Sequence, residues 1–246
     1  MRILTITNQK GGVGKTALTF HLAYLFARDG ARTLLVDLDP QGNLSRSYLD
    51  ETPEASHLRR LFEGQLPEPY PLSDRLHLVG SDITLSKYEA DAKLENFFRV
   101  RTFLQELDPA YDIVLIDTPP SLGLFTSNAL LASHEVLIPV DISHYARIGL
   151  ADLLESVEKV RETTGTRLRV LGIVFSAVRE RLRFFQAFRQ DLEERYPGLP
   201  FRTFIPESVR LREAISRRQT VFEAFPNHKI TRAFEALFSE IKERLS

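Results

Sequence analysis

Apolar residues along the chain fall into two alternating patterns. Short, β-branched, uninterrupted runs occur at Ile3 to Thr7, Thr33 to Asp37, Leu76 to Gly80, Asp112 to Asp117, Val136 to Val140, Val170 to Phe175 and Phe201 to Ile205. Helical spacing of apolar positions fills the stretches between them. A run such as Ile113-Val114-Leu115-Ile116, with no polar residue interposed, suits a strand covered on both faces, as in a parallel sheet. Strands that alternate with helices predict a doubly wound α/β fold with a mostly parallel sheet. The stretch Pro67-Glu68-Pro69-Tyr70-Pro71 reads as a surface loop, because the alternation resumes directly after it. No internal repeat is present, and one domain over residues 1–246 is expected.

Composition narrows the chemistry. With 43% hydrophobic and 26% charged residues in 246 positions, the chain can bury a sizeable core and is neither disordered nor membrane-spanning. The absence of cysteine removes disulfides, cysteine nucleophiles and thiolate metal centres. The start, Met1 to Thr7 followed by Asn8-Gln9-Lys10, is too polar for a secretory signal, so a cytoplasmic location is expected. Net charge is only −1, but it is unevenly spread: residues 1–160 hold 15 basic and 22 acidic side chains, and residues 161–220 hold 13 basic and 7 acidic. All 13 are arginine, whose planar fork pairs well with phosphate. By itself such a run is equally consistent with a solvated, ion-paired surface.

The strongest chemical signal follows the first strand: Lys10-Gly11-Gly12-Val13-Gly14-Lys15-Thr16, leading into the helical pattern Ala17 to Leu25. Glycines at 11, 12 and 14 allow backbone N–H groups to turn inward around phosphate oxygens, and the following helix points its positive end at the same anion. Lys15 is placed to reach the outer phosphates and the Thr16 hydroxyl to ligate Mg²⁺. Asp37 and Asp39 sit at a strand's carboxyl end, where open α/β sheets bind ligands. Each suits either a site role or that of a buried ion-pair or turn-forming residue.

Lys10 to Thr16 resembles the deviant Walker A loop of the ParA and MinD ATPases. Further blocks match in family order: Val36-Asp37-Leu38-Asp39-Pro40-Gln41-Gly42-Asn43 is similar to the first switch, Ile116-Asp117-Thr118-Pro119-Pro120-Ser121 to Walker B and the second switch, and Ile205 to Ala214 to a late ParA segment. The resemblance implies an ATPase using ATP and Mg²⁺. In it Thr16 is the direct metal ligand, Asp117 touches the metal through water, Asp37 supports the metal shell, and Asp39 orients the attacking water. Lys10 would reach across an ATP-dependent homodimer to the partner's phosphates, and Pro206 would border the adenine. Ala17 departs from the second threonine that many relatives carry, so that contact to the α-phosphate is missing.

Within the family, the lack of cysteine separates the chain from nitrogenase iron proteins and arsenite ATPases. By resemblance to ParA proteins, Arg181 and Arg210 would grip the DNA backbone, with Arg179, Arg183, Arg189, Arg212, Arg217 and Arg218 extending the patch. A ParB-like centromere-binding partner would stimulate slow hydrolysis, for a chromosome or plasmid cargo, and the protein would be nucleoid-associated. The loop begins at residue 10, so no amino-terminal helix-turn-helix domain is expected. The MinD-like alternative needs a membrane-binding last helix, and Ile230, Ala233, Phe234, Leu237, Phe238, Ile241 and Leu245 do form an apolar stripe. Its polar face mixes acids with bases, so docking against the protein itself is expected instead and a membrane partner is not. A metabolic ATP-coupled ligase or synthase is the third reading.

Overall fold

The computed structural model describes residues 1–91, 93–143, 146–178 and 183–246, with the backbone alone at Arg183. Seven strands, β1 (Arg2–Ile6), β2 (Thr33–Asp37), β3 (Tyr70–Ser73), β4 (Leu76–Val79), β5 (Ile113–Asp117), β6 (Glu135–Val140) and β7 (Arg169–Phe175), form one sheet in the order β3-β4-β2-β5-β1-β6-β7. Every pairing is parallel except β3 with β4. The α-helices among the described residues are α1 (Lys15–Arg28), α2 (Asn43–Arg46), α3 (Arg59–Phe62), α4 (Arg99–Leu107), α5 (Leu124–Ala132), α6 (Ala146–Thr164), α7 (Arg183–Arg195), α8 (Val209–Ser216), α9 (Val221–Ala224) and α10 (Lys229–Leu245).

The unbroken apolar runs are divided between two cores by the pleat. Leu4, Ile6, Leu35 and Leu115 pack with α1, α9 and α10, while Ile3, Leu34, Val36, Val114 and Ile116 pack with α3, α4 and α5. A third cluster joins β6 and β7 to α6 and α7 through Val136, Ile138, Leu153, Phe185 and Phe188. The last helix spends its stripe here: Ile230, Phe234, Leu237, Phe238, Ile241 and Leu245 are all buried in the α1 core. No helix among the described residues is long and apolar enough to cross a membrane.

Two expectations about strands are corrected. Phe201 to Ile205 is not a strand. Its ends bond to the β7 edge, Phe201 N–H to the Ile173 carbonyl and Ile205 N–H to that of Phe175, both at 2.8 Å. Between them the amides of Arg202 and Thr203 donate to the Glu240 carboxylate, at 2.9 and 3.0 Å, and the ladder is broken by a side chain of α10. The proline-rich stretch, read as loop, instead runs into β3. Proline is tolerated there because an edge strand has one side on which no N–H is needed.

His21 ties α1 to α9. Val221 N–H donates to Nε2 at 3.1 Å, which leaves the ring hydrogen on Nδ1, donating to the Ala17 carbonyl at 2.7 Å. The ring stacks on Phe234 at 4.5 Å between centroids. Burial pushes its pKa down to about 4 from 6.5, against a smaller opposing effect of the Ala17 bond. The unfolded chain therefore binds the extra proton more readily. The contribution of neutral His21 is complete above about pH 6.5 and is lost as pH falls toward 4, amounting to about 3 kcal/mol. Urea denaturation of His21→Gln should show that much less stability lost between pH 7 and pH 4 than the parent chain shows; equal losses would contradict the assignment.

Candidate nucleotide-binding site

β1 is the central strand at which the chain's order reverses, with β5 on one side and β6 on the other, so the loop after it opens into the crevice where such sheets bind ligands. The loop needs its glycines: Gly12 and Gly14 have φ of 76° and 90°, a region costly for residues with a Cβ. Gly14 is also the N-cap of α1, and its carbonyl receives Leu18 N–H at 2.9 Å. The Ser176 hydroxyl, just past β7, donates to the Val13 carbonyl and fixes the loop's crest. Asn8 fixes its base, donating to the Pro139 carbonyl at 2.7 Å and accepting Lys10 N–H at 2.9 Å.

Both loop lysines are occupied. Lys15 is 6% exposed and folds its ammonium back onto the Lys10 carbonyl at 3.1 Å. Burial lowers its pKa, and Asp117 and Asp39 oppose that shift. Lys10 lies on the opposite side, in an ion pair with Asp141 and 3.0 Å from the Ser143 hydroxyl.

Thr16 and Asp117 meet directly, the hydroxyl donating to the carboxylate at 2.6 Å, with the Thr19 hydroxyl 3.4 Å from its other oxygen. Asp117 is fully buried. Its pKa is raised first by burial and next by Asp37, its register partner on β2, against the pull of Thr16 and Lys15. A hydroxyl and a buried carboxylate beside a phosphate loop fit Mg²⁺, which takes few protein oxygens and fills its shell with water and phosphate.

Asp37 is engaged otherwise. It accepts Ser45 N–H at 2.9 Å, Ser45 Oγ–H at 2.7 Å and Asp39 N–H at 3.1 Å, so its oxygens fold the segment after β2 back on itself. Burial raises its pKa, and the Ser45 bonds oppose the rise. Asp39, 6% exposed, accepts Gln41 N–H at 2.9 Å, and its carbonyl receives the Ser81 hydroxyl. A cavity of 210 Å³ opens beside the loop between Gly12, Ala17, Pro206, Leu211 and Phe234. Its lining is chiefly apolar, of the kind that takes a flat ring.

An AAA domain family model matches residues 1–170. The chain is 37% identical over its whole length to the chromosome-partitioning ATPase Soj of Thermus thermophilus, of which it covers 97%. It belongs to the ParA/Soj family of partition ATPases. Two solved structures are similar throughout. A plasmid partition protein from Borrelia burgdorferi superposes with a TM-score of 0.79 at 25% identity, over 99% of this chain and 98% of that one. Cobyrinic acid a,c-diamide synthase from Mycobacterium smegmatis, with bound ATP analog and magnesium, gives 0.83 at 27% identity, over 97% and 93%.

Of the arginines that the ParA resemblance singled out, Arg179 and Arg181 lie outside the described residues, and the side chain of Arg183 is likewise not described. Of the others, Arg210, Arg212 and Arg217 lie on α8 or at its end, and Arg189 and Arg218 lie outside it. Arg210 bonds Glu213 at 2.6 Å and covers the Phe225 ring, Arg217 pairs with the same Glu213, and Arg218 pairs with Asp50. Arg212 lines the 210 Å³ cavity, and Arg189 borders a separate hollow with Arg202 and Glu240. Residues that motif reading missed are Ser45, Ser81, Asp141 and Ser176, and Asn8 was seen as flanking the motif but without its bonding role. Each is a small polar residue; Asn8, Ser81, Asp141 and Ser176 follow closely on strand ends, while Ser45 lies within α2.

Gly42 gives the switch segment a test. Its φ is 60°, and a Cβ there would lie 2.6 Å from the Ser81 carbonyl oxygen. Gly42→Ala should lower stability by about 1–3 kcal/mol in chemical denaturation, from backbone strain and collision together. A loss below a few tenths would mean that the Asp39–Ser45 segment is not held against Ser81.

Proposed function

We propose that the chain is a ParA-type ATPase that binds ATP with Mg²⁺, pairs with a second copy, and in that state binds DNA without regard to sequence. The observation that carries this reading is the Thr16–Asp117 contact of 2.6 Å under a left-handed glycine loop, next to an apolar cavity of base-sized dimensions. Full-length identity of 37% to Soj favours partition over the metabolic chemistry that the synthase's name describes, although both share the fold.

In this reading residues 10–16 enclose the phosphates with backbone N–H groups, and Lys15 leaves the Lys10 carbonyl for the outer phosphates. Thr16 and, through water, Asp117 hold Mg²⁺, which supplies positive charge where the phosphoryl oxygens become more negative. Asp37 acts on the metal shell indirectly, by holding Ser45 and Asp39 and through its charge beside Asp117. Asp39 orients the attacking water. Lys10 crosses to the γ-phosphate of the second protomer, so pairing depends on a triphosphate and ends after hydrolysis. The base lies in the cavity bordered by Ala17 and Pro206, and with no hydroxyl at position 17 the α-phosphate is held by the loop backbone.

Arg210 and Arg181, with Arg179, Arg183 and Arg212, would hold DNA phosphates, Arg210 exchanging Glu213 for the backbone. A ParB-like protein would stimulate hydrolysis and release the chain from the nucleoid in the cytoplasm, the cargo being a chromosome or plasmid. The alternative of an anchoring last helix is disfavoured by the burial of its stripe.

Fluorescence anisotropy on random duplex DNA tests the reading. Binding should need Mg-ATP, be absent with ADP, and weaken steeply with salt. Lys15→Ala should lose nucleotide binding, Asp39→Ala should bind ATP and stay paired without turnover, and Arg181→Ala with Arg210→Ala should weaken DNA binding about tenfold or more while sparing pairing. ATP-dependent binding to anionic vesicles with none to DNA would overturn the partition reading.

A further inference from the structure

The order β2-β5-β1-β6 places the carboxylates of Asp39 and Asp117 on one side of the glycine loop and that of Asp141 on the other. Lys15 is drawn toward Asp117 and Asp39, from β5 and the segment after β2. Lys10 turns the other way, over the end of β6, where Asp141 follows Val140. Its ammonium pairs with Asp141 and donates to the Ser143 hydroxyl at 3.0 Å. That pair of acceptors is set in advance: the Ser143 hydroxyl donates to the Asp141 carboxylate at 3.1 Å, and the Ser143 amide to the Asp141 carbonyl at 3.1 Å. Asn8 attaches the other end of the same residue, bonding both Lys10 N–H and the Pro139 carbonyl. The Lys10 side chain is thus bound directly to residues 141 and 143 of its own chain, and its backbone is tied to Pro139 only through Asn8.

The structure assigns Asp141, assisted by Ser143, as the positioning residue that holds Lys10 in cis in the unpaired protomer and sets how much nucleotide is needed for pairing. The assignment rests on the reading above that Lys10 reaches a second protomer's phosphate. An ammonium seated on Asp141 is not available for that contact, so the unpaired chain presents an incomplete partner surface until a triphosphate competes for it. The two side chains are 41% and 27% exposed, so solvent weakens the pair and its release is a few-fold effect in each protomer. A symmetric pair must release two, and the factors multiply to about tenfold in the dimer constant.

Two measurements test this. In the nucleotide-free protein, limiting acetylation read by peptide mass spectrometry should modify Lys10 several-fold faster in Asp141→Asn, with Asp141→Glu restoring protection and no other lysine changed. Unchanged Lys10 reactivity would overturn the cis contact. In an Asp39→Ala background with Mg-ATP, sedimentation equilibrium should give pairing about tenfold tighter for Asp141→Asn than for the parent, with Asp141→Glu close to the parent. Thermal melting of the nucleotide-free chain should stay the same, which separates positioning from loss of structure. Pairing equal to or weaker than the parent's would overturn the threshold while leaving the ATP dimer intact. A chain that binds ATP yet stays monomeric with any residue at 141 would overturn the pairing reading, and the threshold with it.

Discussion

Lys15 and Asp117 are ionisable groups of opposite sign held almost out of water, and the site is arranged around the free energy of keeping them there. Burial pushes the lysine toward its neutral form and the carboxylate toward its protonated form, and each is opposed by the other's field. Isolated charges at this depth are strongly unfavourable; paired and hydrogen-bonded ones are tolerable. Here the pairing is incomplete, since Lys15 settles for a carbonyl and Asp117 for two threonine hydroxyls, beside the further negative charge of Asp37. In the proposed function this constellation takes a group bringing both signs, an anion for the lysine and loop amides and a cation for Thr16 and Asp117. Mg-triphosphate is that kind of group.

The sheet is what brings these groups together. Asp37 and Asp117 are register partners at the carboxyl ends of adjacent parallel strands, and β1 delivers the glycine loop next to them. The segment after Asp37 is then folded by the carboxylate itself, through Ser45, and joined through Ser81 to the end of β4. A change felt at Asp39 therefore has a hydrogen-bonded path to the neighbouring strand. The last helix contributes from the far side: Phe234 lines the cavity, stacks on His21 and lies in the same core as α1, which begins at Lys15.

What could be read from sequence was what is encoded locally. The glycine loop, six of the seven strands and the amphipathic last helix each carry their pattern within a few residues. Phe201 to Ile205 has the composition of a strand, but a glutamate nearly forty positions later takes its amides. Pro67 to Pro71 reads as loop for its prolines, but Tyr70 and Pro71 begin β3, where an edge position accepts proline. Asp37 matched the metal-shell pattern of the family, yet its bonds to Ser45 and Asp39 depend on how the following turn closes. Lys10 was recognised from its motif, whereas Asp141 could not be, because only the adjacency of β1 and β6 joins positions 131 residues apart. The arginine-rich stretch was visible as charge, but its partners Glu213 and Asp50 are set by folding.

The most direct measurement is a crystal structure of the chain grown with Mg²⁺ and a non-hydrolysable ATP analogue. The triphosphate is expected inside the turn of residues 10–16, with Lys15 moved off the Lys10 carbonyl onto its outer oxygens and the metal on the side of Thr16 and Asp117. A triphosphate bound elsewhere, or a turn still closed by Lys15 at saturating analogue, would contradict this arrangement.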